Sequence, residues 1–198
     1  MGEHKNNDAR PQRLKLLSFN IQAGTSITRY HEYVLHSWRH VLPHSQRMSN
    51  LDAIAKLIGE YDIVALQEVD AGSLRSGFVN QTRYLASHAG LPFWCQQSNR
   101  KVGRVAYAAN GLVSRYQPDA VEEHRLPGTI PGRGALMTRF GEGEDALILV
   151  SVHLALGRRA RAQQLDYLAG ELEGRRNLVV MGDLNTQVTS PELKQFLR

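Results

Sequence analysis

The sequence is poor in cysteine, in long apolar runs and in obvious sorting signals. Cys95 is its only cysteine, so an intrachain disulfide is excluded. This thiol lies in Leu-Pro-Phe-Trp-Cys, a context that favours a buried structural cysteine over a nucleophile. No run reaches the length of a transmembrane helix, and the polar first thirteen residues lack the apolar core of a signal peptide. We therefore expect a soluble, cytoplasmic protein.

Neither charge nor aromatic content is extreme. The 24 basic and 19 acidic residues give a net charge of +5, and the basic residues are scattered rather than clustered. This mild excess is compatible with an anionic partner such as nucleic acid, a phosphorylated metabolite or a lipid headgroup. Aromatic platforms for stacking single strands are not obvious. With 42% hydrophobic and 22% charged residues, the chain has the composition of one globular domain with a substantial core.

A short apolar run near the carboxyl end, Val179–Met181, stops at Gly182-Asp183-Leu-Asn185. Its length suits a strand that is covered on both faces. If the backbone stays extended, Asp183 and Asn185 share one side while Leu184 points to the other. An aspartate beside an amide can accept a proton and bind an oxyanion. The alternative is an ordinary turn after a strand, where both residue types are common.

Two earlier apolar strands also end in polar groups. The strand that begins at Leu14 ends at Asn20, and a strand from Asp62 ends at Glu68. Between them we predict an amphipathic helix that is capped at Ser49 or Asn50 and stopped by Gly59. Such a βαβ unit makes the two strands parallel, so Asn20 and Glu68 emerge side by side.

The connection after Asn20 contains four histidines, two of which stand one helical turn apart. His36 and His40 have the spacing of paired metal ligands, but the glutamate of a zinc-protease HExxH motif is absent. We interpret this segment as a solvated helix face.

The middle of the chain predicts a helix near residue 80 and then short strands separated by turns. We interpret these strands as an antiparallel meander; they cover residues 109–115, 120–126, 135–140 and 146–153. The last ends at His153 and is followed by an amphipathic helix over 159–173 that leads back to Val179. This second βαβ-like unit brings His153 and Asp183 to the edge where Asn20 and Glu68 lie, and ligands bind at this edge in open α/β sheets.

Five motifs occur in an order that resembles the endonuclease/exonuclease/phosphatase superfamily. They are Leu17-Ser-Phe-Asn20-Ile, Val64-Ala-Leu-Gln-Glu68-Val, Asn110-Gly-Leu-Val-Ser114-Arg115, Val152-His153-Leu and Gly182-Asp183-Leu-Asn185. The resemblance implies a four-layered α/β sandwich of two packed mixed sheets flanked by helices. It also implies Mg²⁺-dependent hydrolysis of phosphoester bonds, of the phosphodiesterase or nuclease type, with Mn²⁺ as an alternative metal.

The resemblance assigns a role to each polar strand end. Glu68 is similar to the family's chief metal-binding carboxylate, with Asn20 beside it, and such oxygen ligands suit Mg²⁺. Asp183 corresponds to the residue that orients or deprotonates the attacking water. Asn185 corresponds to a phosphate contact, and His153 to a histidine that polarises the phosphoryl oxygen or assists the leaving group.

Further polar residues near these ends have competing interpretations. Arg133 stands where some members place a phosphate-contacting arginine, although a surface arginine in a glycine-rich turn is equally compatible. Arg158, Arg159 and Arg161 open the helix after His153, where cations are disfavoured. They are interpreted as a solvated turn, with an anionic ligand as the alternative. Asp70 lies two residues after Glu68 and is expected on the surface, with an approach to the metal as the alternative.

The resemblance runs from Leu14 to the last residues but lacks the family's final strands. We therefore expect a disordered leader over 1–13 and, over 14–198, a domain that is truncated before its last strands. The expected fragment carries half of an active site, with impaired activity, and exposes a sheet edge that favours self-association. Its substrate is a phosphoester in nucleic acid, a phospholipid headgroup or a small phosphodiester. The alternative function is a non-catalytic binding or structural remnant of the same scaffold.

Overall fold

The computed structural model describes residues 13–21, 44–102, 106–128 and 132–198. The elements in chain order are β1 (Leu16–Asn20), α1 (His44–Ile58), β2 (Ile63–Asp70), α2 (Gln81–Ala89), β3 (Phe93–Val102), β4 (Ala106–Ser114), β5 (Ala120–Arg125), β6 (Gly134–Phe140), β7 (Leu147–His153), α3 (Arg158–Leu172), β8 (Leu178–Asp183) and α4 (Pro191–Phe196). The predicted leader, apart from residue 13, and the histidine-containing segment 22–43 lie outside the described residues.

The strands form two mixed sheets of four strands each. The first has the order β1-β2-β4-β3 and the second the order β5-β6-β7-β8. The pairs β1–β2 and β7–β8 are parallel, whereas the other neighbouring pairs are antiparallel. Both predicted βαβ-type units are therefore confirmed. The single meander is wrong, because the chain crosses from the first sheet to the second between β4 and β5.

Strand alternation separates the apolar side chains into three layers. Ile63 and Leu112 of the first sheet pack between the sheets against Leu136 and Leu149 of the second. The outer face of the first sheet is covered by α1 and α2, and that of the second by α3 with a contribution from α4. This arrangement confirms the four-layered α/β sandwich.

The ends of several helices follow from local sequence. Asn80 caps α2 by accepting a hydrogen bond from the Arg83 amide, and Ser190 caps α4 with Pro191 at the first helical turn. The predicted start of α1 is wrong, because the helix already begins at His44 and runs through Ser49 and Asn50. Its first fully buried apolar residue is Leu51, with Met48 packed partly buried before it, so the pattern located most of the packed part of the helix but not its first turn.

The last strand differs from the fully covered strand that was predicted. Every residue of β8 is half-buried or exposed. In the described part of the chain β8 is the terminal strand of its sheet, with β7 as its one neighbour. Self-association through this edge stays a prediction. Within the same residues, no helix has both the length and the apolar character needed to cross a membrane.

Candidate active site

Polar side chains from both sheets meet at one rim of the sandwich. Asn20 at the end of β1 donates from Nδ2 to Asp183 Oδ2 at the end of β8, at 3.1 Å. His153 Nε2 lies 3.8 Å from Glu68 Oε1 and 3.7 Å from Asp183 Oδ2. The structure thus brings together the four strand-end residues that the sequence singled out, two from each sheet.

Glu68 is directed into this rim by a β-bulge. The pairing of β2 with β4 passes from Leu66–Gly111 to Val69–Ala109, so that two residues of β2 face Asn110 alone. Glu68 itself has a φ of 56°, a left-handed conformation that is unfavourable for a residue with a β-carbon. Bulges of this kind redirect a side chain and are common beside active sites. The bulge therefore sets the direction of the carboxylate, which is 35% exposed.

Asp183 reaches the rim through regular strand pairing and a very close backbone approach. His153 and Asp183 are direct partners in the parallel β7–β8 ladder, as are Val152 and Gly182. Gly182 has a φ of 144°, and a β-carbon at this position would lie 2.0 Å from the Val152 carbonyl oxygen. Glycine is therefore required directly before the aspartate.

Asn185 belongs to a turn rather than to the strand. Its φ is 49°, its amide donates to Asp183 Oδ1 at 3.0 Å, and its Nδ2 donates to the Leu154 carbonyl at 2.8 Å. The Leu154 amide in turn donates to the Asp183 carbonyl at 2.9 Å. The extended backbone predicted through Asn185 is wrong, because β8 ends at Asp183. The side chain of Asn185 instead connects the segments that follow β7 and β8.

His153 is largely desolvated, with 12% of its side chain exposed. Burial is the main cause that lowers the pKa of His153 from 6.5 to about 4, and the positive charge of Arg133 lowers it further. The Asp183 carboxylate opposes this shift without reversing it. The imidazole is therefore neutral at pH 7. The same effect places Arg133 within electrostatic range of the site, next to the start of β6.

Asp70 is not the surface residue that was expected. Its side chain is fully buried and accepts hydrogen bonds from the Gly72 and Ser73 amides and from the Ser73 and Ser76 hydroxyls, at 2.6–3.0 Å. A buried carboxylate needs such donors to replace water. Asp70 therefore organises the turn that follows Glu68. Sequence reasoning missed it because these donors belong to the turn that the carboxylate itself holds.

The three arginines at the start of α3 do not share the solvated environment that was predicted for them. Arg158 and Arg159 are exposed, as expected of a solvated turn. Arg161 is instead buried and pairs with Glu192 of α4 at 2.7 Å. Neither the solvated turn nor an anionic ligand accounts for Arg161. No sequence signal identified Glu192 as the partner of Arg161.

The chemistry of the rim fits a hard divalent cation. Glu68 offers a carboxylate and Asn20 an amide oxygen, which are ligand types that Mg²⁺ and Mn²⁺ accept, and Mg²⁺ retains several waters in sites with few protein ligands. Across the described ranges, no group of three or more histidine, cysteine or acidic side chains is arranged to hold a metal. One carboxylate and one amide oxygen fit a partial, water-completed site for such a divalent cation, whereas a closed zinc cage needs thiolate or imidazole ligands.

The model of the Endonuclease/Exonuclease/phosphatase family matches residues 17–198 of this chain. This match includes every residue placed at the rim. No curated protein sequence matches the chain significantly.

Solved structures confirm the similarity of fold. A functionally unknown conserved protein from Enterococcus faecalis V583 is 17% identical, with a TM-score of 0.66 over 93% of this chain and 71% of that one. Beta toxin from Staphylococcus aureus is 18% identical, with a TM-score of 0.64 over 93% and 70%. Humanized D. rerio TDP2 is also 18% identical, with a TM-score of 0.59 over 92% and 66%. The chain thus spans about two thirds to seven tenths of these structures.

Proposed function

The chain belongs to the endonuclease/exonuclease/phosphatase family, and on this premise we propose that it is a Mg²⁺-dependent hydrolase of phosphoester bonds. The observation that carries the proposal is the meeting of Asn20, Glu68, His153 and Asp183 at one rim, from four strands of two sheets. A structural role would not require two carboxylates, an amide and a desolvated imidazole at one place.

In the proposed mechanism Asp183 acts on the attacking water. Its carboxylate is fixed by the Asn20 side chain and by the Asn185 amide, so one oxygen is oriented to accept the proton of the nucleophile. Glu68 and Asn20 would hold the cation. Once bound there, Mg²⁺ supplies positive charge that offsets the charge developing on the phosphate.

The neutral state of His153 limits what it can do. A neutral imidazole at the rim can donate one hydrogen bond to a phosphoryl oxygen, which polarises the ester without adding a full charge. Arg133 and Asn185 are proposed to contact the phosphate, the first through its guanidinium charge and the second through its side-chain amide.

We expect turnover by residues 1–198 to be slow. The other histidines with described side chains contact groups elsewhere: His88 contacts the Tyr84 carbonyl and His124 contacts the Tyr167 hydroxyl. His153 is therefore the one described histidine at the rim. Because its imidazole is neutral at pH 7, the described part of the rim has no protonated histidine to donate to the leaving group.

The substrate class proposed is a phosphodiester, in nucleic acid, in a phospholipid headgroup or in a small molecule. The net charge of +5 suits any of these anions. One of the structurally similar proteins, D. rerio TDP2, has been solved with a single strand DNA product. A panel of DNA, sphingomyelin, phosphoinositides and a chromogenic diester separates the possibilities.

The experiment that tests the function measures hydrolysis of bis(p-nitrophenyl) phosphate with Mg²⁺ and with EDTA. We expect metal-dependent hydrolysis that Glu68→Gln lowers about 100-fold or more, because the chief ligand and its charge are lost. Glu60→Gln, at an exposed position before β2, is the matched control and should leave the rate unchanged.

Two other outcomes contradict parts of this proposal. Hydrolysis that survives EDTA and Glu68→Gln excludes the proposed metal site. Absent hydrolysis combined with Mg²⁺-dependent binding of a phosphodiester instead identifies a non-catalytic binding protein on the same scaffold.

A further inference from the structure

Two side chains of α3 form hydrogen bonds with the backbone of the loop that follows His153, residues 154–157. Arg161 Nη1 donates to the carbonyls of Ala155 and Leu156, at 3.1 and 2.8 Å. Gln164 Oε1 accepts a hydrogen bond from the Ala155 amide at 2.8 Å. Residues three positions apart lie on one face of a helix, so Arg161 and Gln164 act on the same stretch of backbone.

Each of these side chains also reaches a second segment near the rim. The guanidinium of Arg161 donates from Nε and Nη2 to Glu192 Oε1, and the same oxygen lies 3.5 Å from the Thr186 hydroxyl. Thr186 directly follows Asn185. Gln164 Nε2 donates to the Pro127 carbonyl at 2.9 Å, in the segment that leads from β5 towards Arg133. One face of α3 thus joins the loop after His153 to the segment after Asn185 and to the residues that directly follow β5.

Stability alone does not explain these groups. The side chains of Arg161 and Glu192 are 9% and 5% exposed. Removing two charges from water costs about as much as their attraction returns, and well-packed apolar residues often serve equally well. A buried ion pair that also donates to two loop carbonyls fixes the position of that loop, whereas an apolar pair has no donors for those carbonyls.

We propose that Arg161 and Gln164 are positioning residues that fix loop 154–157 and, through the Leu154 backbone, the placement of Asp183 and Asn185. Leu154 is the connecting residue, because its amide donates to the Asp183 carbonyl and its carbonyl accepts from Asn185 Nδ2. This inference rests on the proposed function only for its effect on catalysis. The effect on the geometry of the rim can be measured without turnover.

The test uses a double variant that removes the ion pair as a unit. In Arg161→Met/Glu192→Met both charges disappear together, so no unpaired charge is buried and the fold should be retained. Gln164→Met removes the second set of loop bonds independently. Arg158→Met is the matched control, because Arg158 Nε lies 3.6 Å from Oε2 of the same Glu192 but its side chain is 73% exposed.

Two measurements are made on each variant. Amide hydrogen exchange at Leu154 and Asn185 should accelerate at least about tenfold in the double variant and in Gln164→Met, with Leu66 and Leu112 unchanged. With the chromogenic diester, kcat should fall about 10- to 100-fold and KM should rise by a smaller factor, because Asn185 loses its placement while the other groups proposed to hold the metal and the phosphate are unaltered. Arg158→Met should match the unaltered chain in both measurements.

The outcomes separate this inference from the proposed function. Unchanged exchange at Leu154 and Asn185 in a folded double variant and in Gln164→Met overturns the inference. If amide protection falls throughout the double variant, that variant is unfolded, and the exchange rates of Leu154 and Asn185 in Gln164→Met then decide whether the inference stands. If the unaltered chain shows no hydrolysis, the proposed function fails and the exchange data still decide whether α3 positions the rim.

Discussion

The two βαβ units deliver their polar residues to the rim in different ways. In the first, Glu68 lies on a central, buried strand with β1 on one side and β4 on the other. A bulge and a left-handed backbone set its direction. In the second, Asp183 lies on the half-buried terminal strand β8, in regular register with His153. There, hydrogen bonds from loops and from α3 complete the placement.

This difference shows what fixes the position of the rim side chains in each unit. In the first unit a strained backbone conformation fixes Glu68, and the surrounding core must hold that strain. In the second unit a close backbone contact at a glycine and side chains outside the rim fix Asp183. The first half should therefore respond to changes of backbone freedom, and the second to changes of contact and charge.

The largest expected effect is Gly182→Ala in the second unit. The new β-carbon would meet the Val152 carbonyl at 2.0 Å, so β7 and β8 must separate at the rim. We expect the free energy of unfolding in urea to fall by about 4 kcal/mol or more. Gly174→Ala is the control, because Gly174 also has a positive φ of 73° but no atom within 4 Å, and should cost about 1 kcal/mol. Equal costs for the two variants would show that the close approach is not limiting.

The next effect is a pH dependence that arises from His153. Its pKa is about 4 in the folded chain and 6.5 when unperturbed, so the unfolded chain binds more protons between these values. Stability is then fully present above pH 6.5 and is lost as the pH falls towards 4, by about 3 kcal/mol in the metal-free chain. Urea unfolding at pH 7 and pH 4 measures the difference. His153→Gln should remove this part of the loss, and an unchanged difference in that variant would assign the pH dependence to other groups.

The smallest effect concerns the strained bulge of the first unit. Glu68→Ala and Glu68→Gly both remove the carboxylate, but only alanine keeps the cost of a φ of 56°. We expect the glycine variant to be more stable than the alanine variant by about 1 kcal/mol in urea unfolding. If alanine is as stable as glycine here, the bulge does not store strain.

Much of the fold could be predicted because local signals agree with it. Apolar runs that end in Asn20, Glu68, His153 and Asp183 located four strands, and helical periodicity between them made two pairs parallel. The sheet exchange after β4 could not be predicted, since a short turn is compatible with either sheet. The half-exposed state of β8 also lay beyond a pattern that reports apolarity rather than neighbours.

The residues that meet at the site could be predicted, but the contacts that position them could not. The polar ends of parallel strands meet at one edge, so the grouping of Asn20 with Glu68 and of His153 with Asp183 followed from topology. The bulge at Glu68 depends on the partner strand, and the burial of Asp70, Arg161 and Gln164 depends on loops whose positions these residues themselves fix. The catalytic roles of the rim residues stay predictions.

The frame that Asp70 provides has a practical consequence for engineering. Four hydrogen bonds hold the turn after Glu68 from the inside, while Leu74 and Phe78 on the same turn are 59% and 69% exposed. These two positions can be exchanged without disturbing the support beneath them. A library confined to Leu74 and Phe78 would therefore vary the exposed surface of this turn while the hydrogen bonds to Asp70 stay constant.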